Sequence, residues 1–252
     1  MKYTGLYIVI AFLMLSYTSF AQNDTIETTD KSEVAPSAPQ QQQTVQKFRL
    51  GIYGDFGFSY LKPKSNEFKS LGTRSSYSYG LVVDNNFTDH YTFSTGIRFS
   101  SYGGKLEYED SLSVVNVMQS GMMARDYRVN YLEIPLALKL KTNQMGYFTP
   151  FVYLGLNNGF RLSSYADDEF SVASTNDKIS TEGTDINDIT SFYRLSLEFG
   201  IGTEYDISQS FGAFAMLSFQ NGLTNSLTGD TSKGYKQSAM FKKFALTVGF
   251  LF

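Results

Sequence analysis

The stretch YLEIPLALKLK, Tyr131 to Lys141, mixes an apolar run with a glutamate, a proline and two lysines. Read with a period of two it separates cleanly. Leu132, Ile134, Leu136, Leu138 and Leu140 fall on one face, and Tyr131, Glu133, Pro135, Ala137, Lys139 and Lys141 on the other. A strand sends successive side chains to opposite sides, so one side of this strand is wholly branched-aliphatic and the other mixed and charged. Pro135 removes one donor from the ladder, and a bulge or local kink is expected there.

The same period recurs through the chain from Phe48 onward. Phe48, Leu50, Ile52, Phe56 and Phe58 alternate with Arg49, Tyr53, Asp55 and Ser59; Tyr91, Phe93, Ile97 and Phe99 alternate with Thr92, Ser94 and Arg98. Tyr193, Leu195, Leu197 and Phe199 alternate with Arg194, Ser196 and Glu198, and the end of the chain alternates from Phe244 to Phe252. Comparable patterns near 77–83, 148–156 and 211–219 bring the total to eight strands, with no helical period between them. Segments about Lys62–Ser75, Tyr102–Asp126, Ser163–Ile189 and Gly222–Ser238 read as long polar loops. Asn85–His90, Thr142–Gly146 and Asp206–Ser210 read as short turns. An even strand count, with short turns on one rim and long loops on the other, is the pattern of an outer-membrane barrel. The fold class expected is therefore all-β, an eight-stranded antiparallel transmembrane up-and-down barrel, with the aliphatic face of each strand toward lipid and the charged face toward the lumen. A soluble barrel or sandwich would also show period two, but its charges would face outward and its interior would be apolar.

Composition agrees with a barrel. Mean hydropathy is −0.20, while aromatic residues make up 16% and charged residues only 18%. A lipid-facing exterior combined with a polar interior averages to such values. Trp is absent, so interfacial belts have to be built from Tyr and Phe.

Residues 1–21 read as a secretory signal, with Lys2, an apolar core over Leu6–Leu15 and the small-residue site Ser19-Phe20-Ala21. Residues 22–46, rich in Gln, Thr, Ser, Pro and acids, bury too little surface to order and are expected to form a disordered periplasmic tail. The barrel is assigned to 47–252. There is no cysteine, which excludes disulfides, thiol chemistry and lipidation through cysteine. The formal charge of −3 becomes −4 once Lys2 leaves with the signal, which gives no basis for nucleic-acid binding.

Chemistry-bearing residues are few. His90 is the single histidine; Asp89-His90 is good turn chemistry, and no second element of a catalytic pair accompanies it. Asp167, Asp168 and Glu169, with Asp185 and Asp188, lack the spacing of a calcium loop. Gly103-Gly104-Lys105 lacks the context of a phosphate loop. Neither catalytic residues, cofactor nor metal are expected. Asp55, Arg98, Glu133, Arg194 and Glu198 form the candidate lumen charge network: either an ion path, or a mutually neutralised plug, which the narrow interior of eight strands favours. Phe244, Leu246, Val248, Phe250 and Phe252 form the terminal aromatic strand that barrel-assembly machinery recognises.

YLEIPLALKLK together with NGLTN (Asn221 to Asn225) and FALTVGFLF (Phe244 to Phe252) resembles the PorT-like outer-membrane barrels of Bacteroidota. The resemblance runs roughly from Phe48 to Phe252. It implies an eight-stranded barrel with both termini in the periplasm and, from the founding member, a part in type IX secretion, the export route for proteins such as surface proteases. The function expected is a non-enzymatic structural, interaction or secretion-accessory role, with outer-membrane lipids, the assembly machinery and secretion-system or surface proteins as partners. A small pore or transporter is the alternative, and an outer-membrane enzyme is disfavoured by the histidine count.

Overall fold

The computed structural model describes residues 47–252 apart from 115, 116, 176 and 209; the expected signal and tail lie outside the described residues. Ten strands form: β1 (Phe48–Pro63), β2 (Phe68–Gly72), β3 (Arg74–Asn86), β4 (Tyr91–Val114), β5 (Val117–Lys141), β6 (Phe148–Val172), β7 (Lys178–Asp185), β8 (Tyr193–Asp206), β9 (Gly212–Gly222) and β10 (Ala239–Leu251). Eight close a ring in the order β1-β3-β4-β5-β6-β8-β9-β10, every pair antiparallel, with β10 returning to β1. Leu50 and Phe252 exchange backbone hydrogen bonds of 2.9 and 2.7 Å at this seam. A closed ring has no free edge, so each barrel strand finds ladder partners on both sides. Among the described residues no helix is long and apolar enough to cross a membrane.

The outward face of each barrel strand is the aliphatic and aromatic one. Phe48, Leu50, Ile52, Phe56 and Phe58 on β1, and Phe244, Leu246, Val248 and Phe250 on β10, are all exposed. Along β1 the climb from Phe48 to Phe58 is about 33 Å of strand, or about 25 Å of height once tilted, which matches the apolar band of a membrane barrel. Aromatic pairs mark both ends of that band. Phe148–Tyr205 (5.0 Å) and Phe211–Phe250 (5.7 Å) lie at the short-turn rim, and Phe160–Tyr193 (5.7 Å) at the other. Tyrosine and phenylalanine thus do the work that Trp often shares in interfacial girdles. Leu136, 46% exposed on this surface, gives a direct check: Leu136→Arg is expected to lower folding stability in lipid vesicles by about 2–4 kcal/mol, read by denaturant titration.

The turns of the short-turn rim are locally encoded. Thr88 Oγ1 accepts the backbone N–H groups of His90 (3.2 Å) and Tyr91 (3.1 Å). Met145 and Phe148 close a two-residue turn on Gly146, whose φ of +67° suits a residue without Cβ.

Two expectations fail. Three of the segments read as long loops hold strand: β2 lies within Lys62–Ser75, β4 and β5 extend through Tyr102–Asp126, and β6 and β7 occupy much of Ser163–Ile189, so that β4, β5 and β6 run 24, 25 and 25 residues, where about 9–11 cross a bilayer. Val117–Asn130 alone adds roughly 45 Å of strand beyond the apolar band. With β2 on the free edge of β4 and β7 on that of β6, the extensions form a five-stranded sheet, β2-β4-β5-β6-β7, exterior to the apolar band and called the exterior sheet for that reason alone. Its inner face carries Phe68, Tyr102, Leu106, Tyr108, Met123, Tyr127, Val129, Phe170 and Val172, and the β9–β10 connection folds Leu227 against them in a buried core. The 223–238 connection itself stays irregular, as expected. The second failure is the bulge expected at Pro135, which does not form although the β4–β5 ladder is interrupted beside it. The β5–β6 register passes through it unbroken, and β4–β5 keeps its register on either side, with only the pairs beside Gly96 and Ile97 missing from the ladder. The bulge lies instead at Asn130/Tyr131, where the strand leaves the barrel for the exterior sheet. Bulges re-aim a strand in this way at barrel rims.

Because the exterior core is separate from the barrel wall, Leu106→Ala is expected to cost about 2–3 kcal/mol and to act locally. Amide exchange should quicken in the extensions of β4 and β5 while the membrane band keeps its protection.

Candidate functional site

The inward faces of the barrel strands converge on a lumen filled in layers. Nearest the short-turn rim, Lys139 on β5 donates to Asp84 of β3 (2.6 Å) and Glu204 of β8 (2.8 Å). Glu204 also meets Lys141 (3.0 Å) and Arg49 (3.0 Å). Above this cluster lies an apolar layer of Tyr53, Phe151, Tyr153, Phe214 and Met216 around a cavity of about 30 Å³, room for no more than a water or two. The Lys139 ammonium lies 4.9 Å from the Phe151 ring centre and 5.5 Å from that of Phe214, so its charge is met by carboxylates below and ring faces beside it.

The next layer holds the residues singled out in the sequence. Arg98 and Glu133 are direct cross-strand partners on β4 and β5. Arg98 Nε donates to Glu133 Oε2 at 2.8 Å, and Nη1 reaches across to Glu198 on β8 at 3.1 Å. Arg194 Nη1 donates to Glu133 Oε1 at 2.8 Å. Glu133 further accepts from Ser100 (2.8 Å) and Tyr102 (2.9 Å), and Glu198 from Asn157 (2.8 Å) and Gln220 (3.1 Å). Arg194, fully buried, turns its remaining edge to aromatic faces, 4.2 Å from the Tyr102 ring and 5.7 Å from Tyr131. Asp55 is not bonded to this group. It accepts from Lys243 on β10 at 2.6 Å, and Lys243 also donates to Ser78 at 2.6 Å. Three cations thus face three carboxylates in this layer, and charges removed from water are tolerated when matched in this way. Sequence reasoning missed Lys243 and the whole layer of Arg49, Asp84, Lys139, Lys141 and Glu204. Their inward parity was legible, but which of them meet across a lumen depends on barrel stagger.

Above the charged layers the lumen gives way to the exterior core, where Phe241 lies against Tyr102 at 5.6 Å. The outer face of the exterior sheet is wet and carries paired charges: Arg128 with Asp167, Arg74 and Lys105 with Asp126, Lys178 with Glu169. The Asp167 carboxyl is held below its ordinary range, chiefly by the Gly183 N–H and then by Arg128. Asp168 is taken by Arg125 (2.7 Å). His90 is exposed at the short-turn rim, its Nδ1 3.2 Å from the Lys141 carbonyl oxygen.

The profile of the family described as "Outer membrane protein beta-barrel domain" matches residues 20–228. No curated protein matches the chain. Among solved structures, the Neisserial surface protein A (NspA) is similar at 8% identity, with 79% of this chain and 95% of that chain covered and a TM-score of 0.39. Ail, the attachment invasion locus protein of Yersinia pestis, is similar at 12% identity over 82% and 100%, with a TM-score of 0.35. The outer membrane protein OprG from Pseudomonas aeruginosa is similar at 11% over 83% and 97%, with a TM-score of 0.34.

Proposed function

Because this chain belongs to the outer membrane protein beta-barrel domain family, we propose that it is a non-conducting, non-enzymatic barrel that holds a folded exterior sheet where partner proteins can reach it. The observation that carries this reading is the length of β4, β5 and β6, which continue far past the apolar band and pack their inner face into a core of their own. A pore needs a lumen that water can cross. Here two layers of paired charges and an aromatic layer fill it, and the cavity between them is about 30 Å³. An enzyme needs a reactive group poised beside a partner, and the single histidine sits in an exposed turn with its ring against the Lys141 backbone carbonyl.

In this reading the short turns and both ends of the barrel are periplasmic and the exterior sheet faces the outside. The cysteine-free sequence permits a clean test. Lys105→Cys on the exterior sheet should be labelled by a membrane-impermeant maleimide on intact cells, and Asn143→Cys in the β5–β6 turn only after permeabilisation. The reverse order would invert the barrel. The narrower version, an accessory role in type IX secretion, rests on the PorT-like resemblance of Tyr131–Lys141. It predicts that deletion of the gene leaves secreted cargo inside the cell; normal export in the deletion strain would remove it. A photo-crosslinker at Arg128, on the wet face of the sheet, should capture a protein partner that one at Leu136, on the lipid face, does not.

A further inference from the structure

The exterior cations of the long-strand rim are unequal. Lys105, Arg128, Lys178 and Lys233 each face a carboxylate. Lys62, Lys64, Lys69, Lys236 and Lys242 have no ion-pair partner among the described residues, and Lys62, Lys64 and Lys242 are the three beside the β1–β10 seam. These three gather at one place. Lys62 ends the outward row Phe56, Phe58, Tyr60 on β1, and Lys242 ends the outward row Leu246, Phe244 on β10. Tyr60 is directly opposite Lys242, and Lys62 opposite Met240, so the two lysines are diagonal neighbours across the closing seam. Lys64 follows two residues on, just past the end of β1, its backbone N–H donating to the Ser238 carbonyl at 2.9 Å.

Their height decides what they meet. Directly beneath them is the apolar band, with Phe58, Phe244 and Phe219 at its upper margin. Phe219 and Phe244 pack at 4.5 Å, and the Lys242 ammonium lies 6.0 Å from the Phe219 ring centre. Tyr60 sits where band meets headgroup. Cations placed immediately above acyl-chain level reach toward the phosphate plane while their stems cover apolar surface. With no carboxylate paired to them among the described residues, these lysines leave a local excess of positive charge at the level of a lipid headgroup.

We propose that Lys62, Lys64 and Lys242, together with the Phe58–Phe219–Phe244 surface below them, form a binding site for a lipid carrying a phosphate monoester, with phosphate on the ammonium groups and acyl chain on the rings. An acidic protein could use the lysines, but it would leave the ring surface to lipid and would not require the two to be contiguous.

Native mass spectrometry of the full barrel released from phosphatidylcholine nanodiscs doped with phosphatidic acid tests this. Wild type should retain phosphatidic acid, and the triple variant Lys62→Gln, Lys64→Gln, Lys242→Gln should retain roughly a hundredfold less, since each lysine near an anionic surface contributes about fivefold. Lys178→Gln, remote and already paired, should behave as wild type. Diacylglycerol, the same lipid without phosphate, should not be retained. Unmoving migration of unboiled samples on gels confirms that each variant is folded. Equal retention by wild type and triple variant, or equal retention of diacylglycerol, would overturn the proposal. So would full displacement of phosphatidic acid by inorganic phosphate alone, since that would make the lysines a simple anion site. The readout does not depend on the orientation or partner role proposed above.

Discussion

Glu133→Gln is expected to destabilise the barrel by about 3–5 kcal/mol, the range for breaking a buried pair and leaving its partner charged. Glu133 is the hub of its layer: it accepts from Arg98, Arg194, Ser100 and Tyr102. Neutralising it leaves two buried guanidinium groups with a single carboxylate, Glu198, bonded to one of them. Arg98→Gln should cost less, because Glu133 keeps Arg194 and its two hydroxyl donors, and Glu198 keeps Asn157 and Gln220. The double variant should lose clearly less than the sum of the two, since neither orphan charge then remains at the Arg98–Glu133 contact. Denaturant titrations in vesicles measure all three. Additive losses would show that the pair is not coupled.

Lys139→Met is the second large effect, again about 3–5 kcal/mol. Among the described residues Lys139 is the cation paired with Asp84, which is fully buried. Glu204, the other carboxylate on Lys139, keeps Arg49 and Lys141. The orphan is therefore Asp84, and Asp84→Asn on the Lys139→Met background should restore much of the loss. Failure of that rescue would mean that the cost arises from packing against Phe151 and Phe214 instead.

How far the sequence foretold this molecule depends on which solvent a strand faces. Where one face meets lipid, as at Leu132–Leu140, the contrast between the faces is strong, and the inward or outward sense of the eight barrel strands is readable from period two. In β4 beyond Tyr102 the period continues, with Tyr102, Leu106, Tyr108 and Leu112 inward and Lys105, Glu107 and Glu109 outward. That outward face meets water, so the stretch has the polarity of a loop. The extension of β5 was hidden in the same way, with Arg128 and Asp126 alternating against Tyr127 and Val129. Pro135 misled for a different reason. A proline lacks one donor, but opposite it stands Gly96, and the ladder there gives up two pairs without shifting register.

The lumen was legible as a set of inward charges and not as a set of partners. Arg98 and Glu133 could be matched because they are adjacent strands' residues at equal distance from the short-turn rim. Asp55 could not be assigned to Lys243, nor Lys139 to Glu204, because those contacts cross the barrel or its closing seam, and their register is set by stagger rather than by position along one strand.

Conductance of the purified wild-type protein in planar lipid bilayers tests the central claim, a lumen closed by its own side chains. The account predicts no discrete current steps above the bare bilayer, under conditions where Glu133→Gln protein can be compared directly. Steady wild-type ion currents, changed in size or selectivity by Glu133→Gln or Lys139→Met, would contradict it and make the charge layers the lining of a pore.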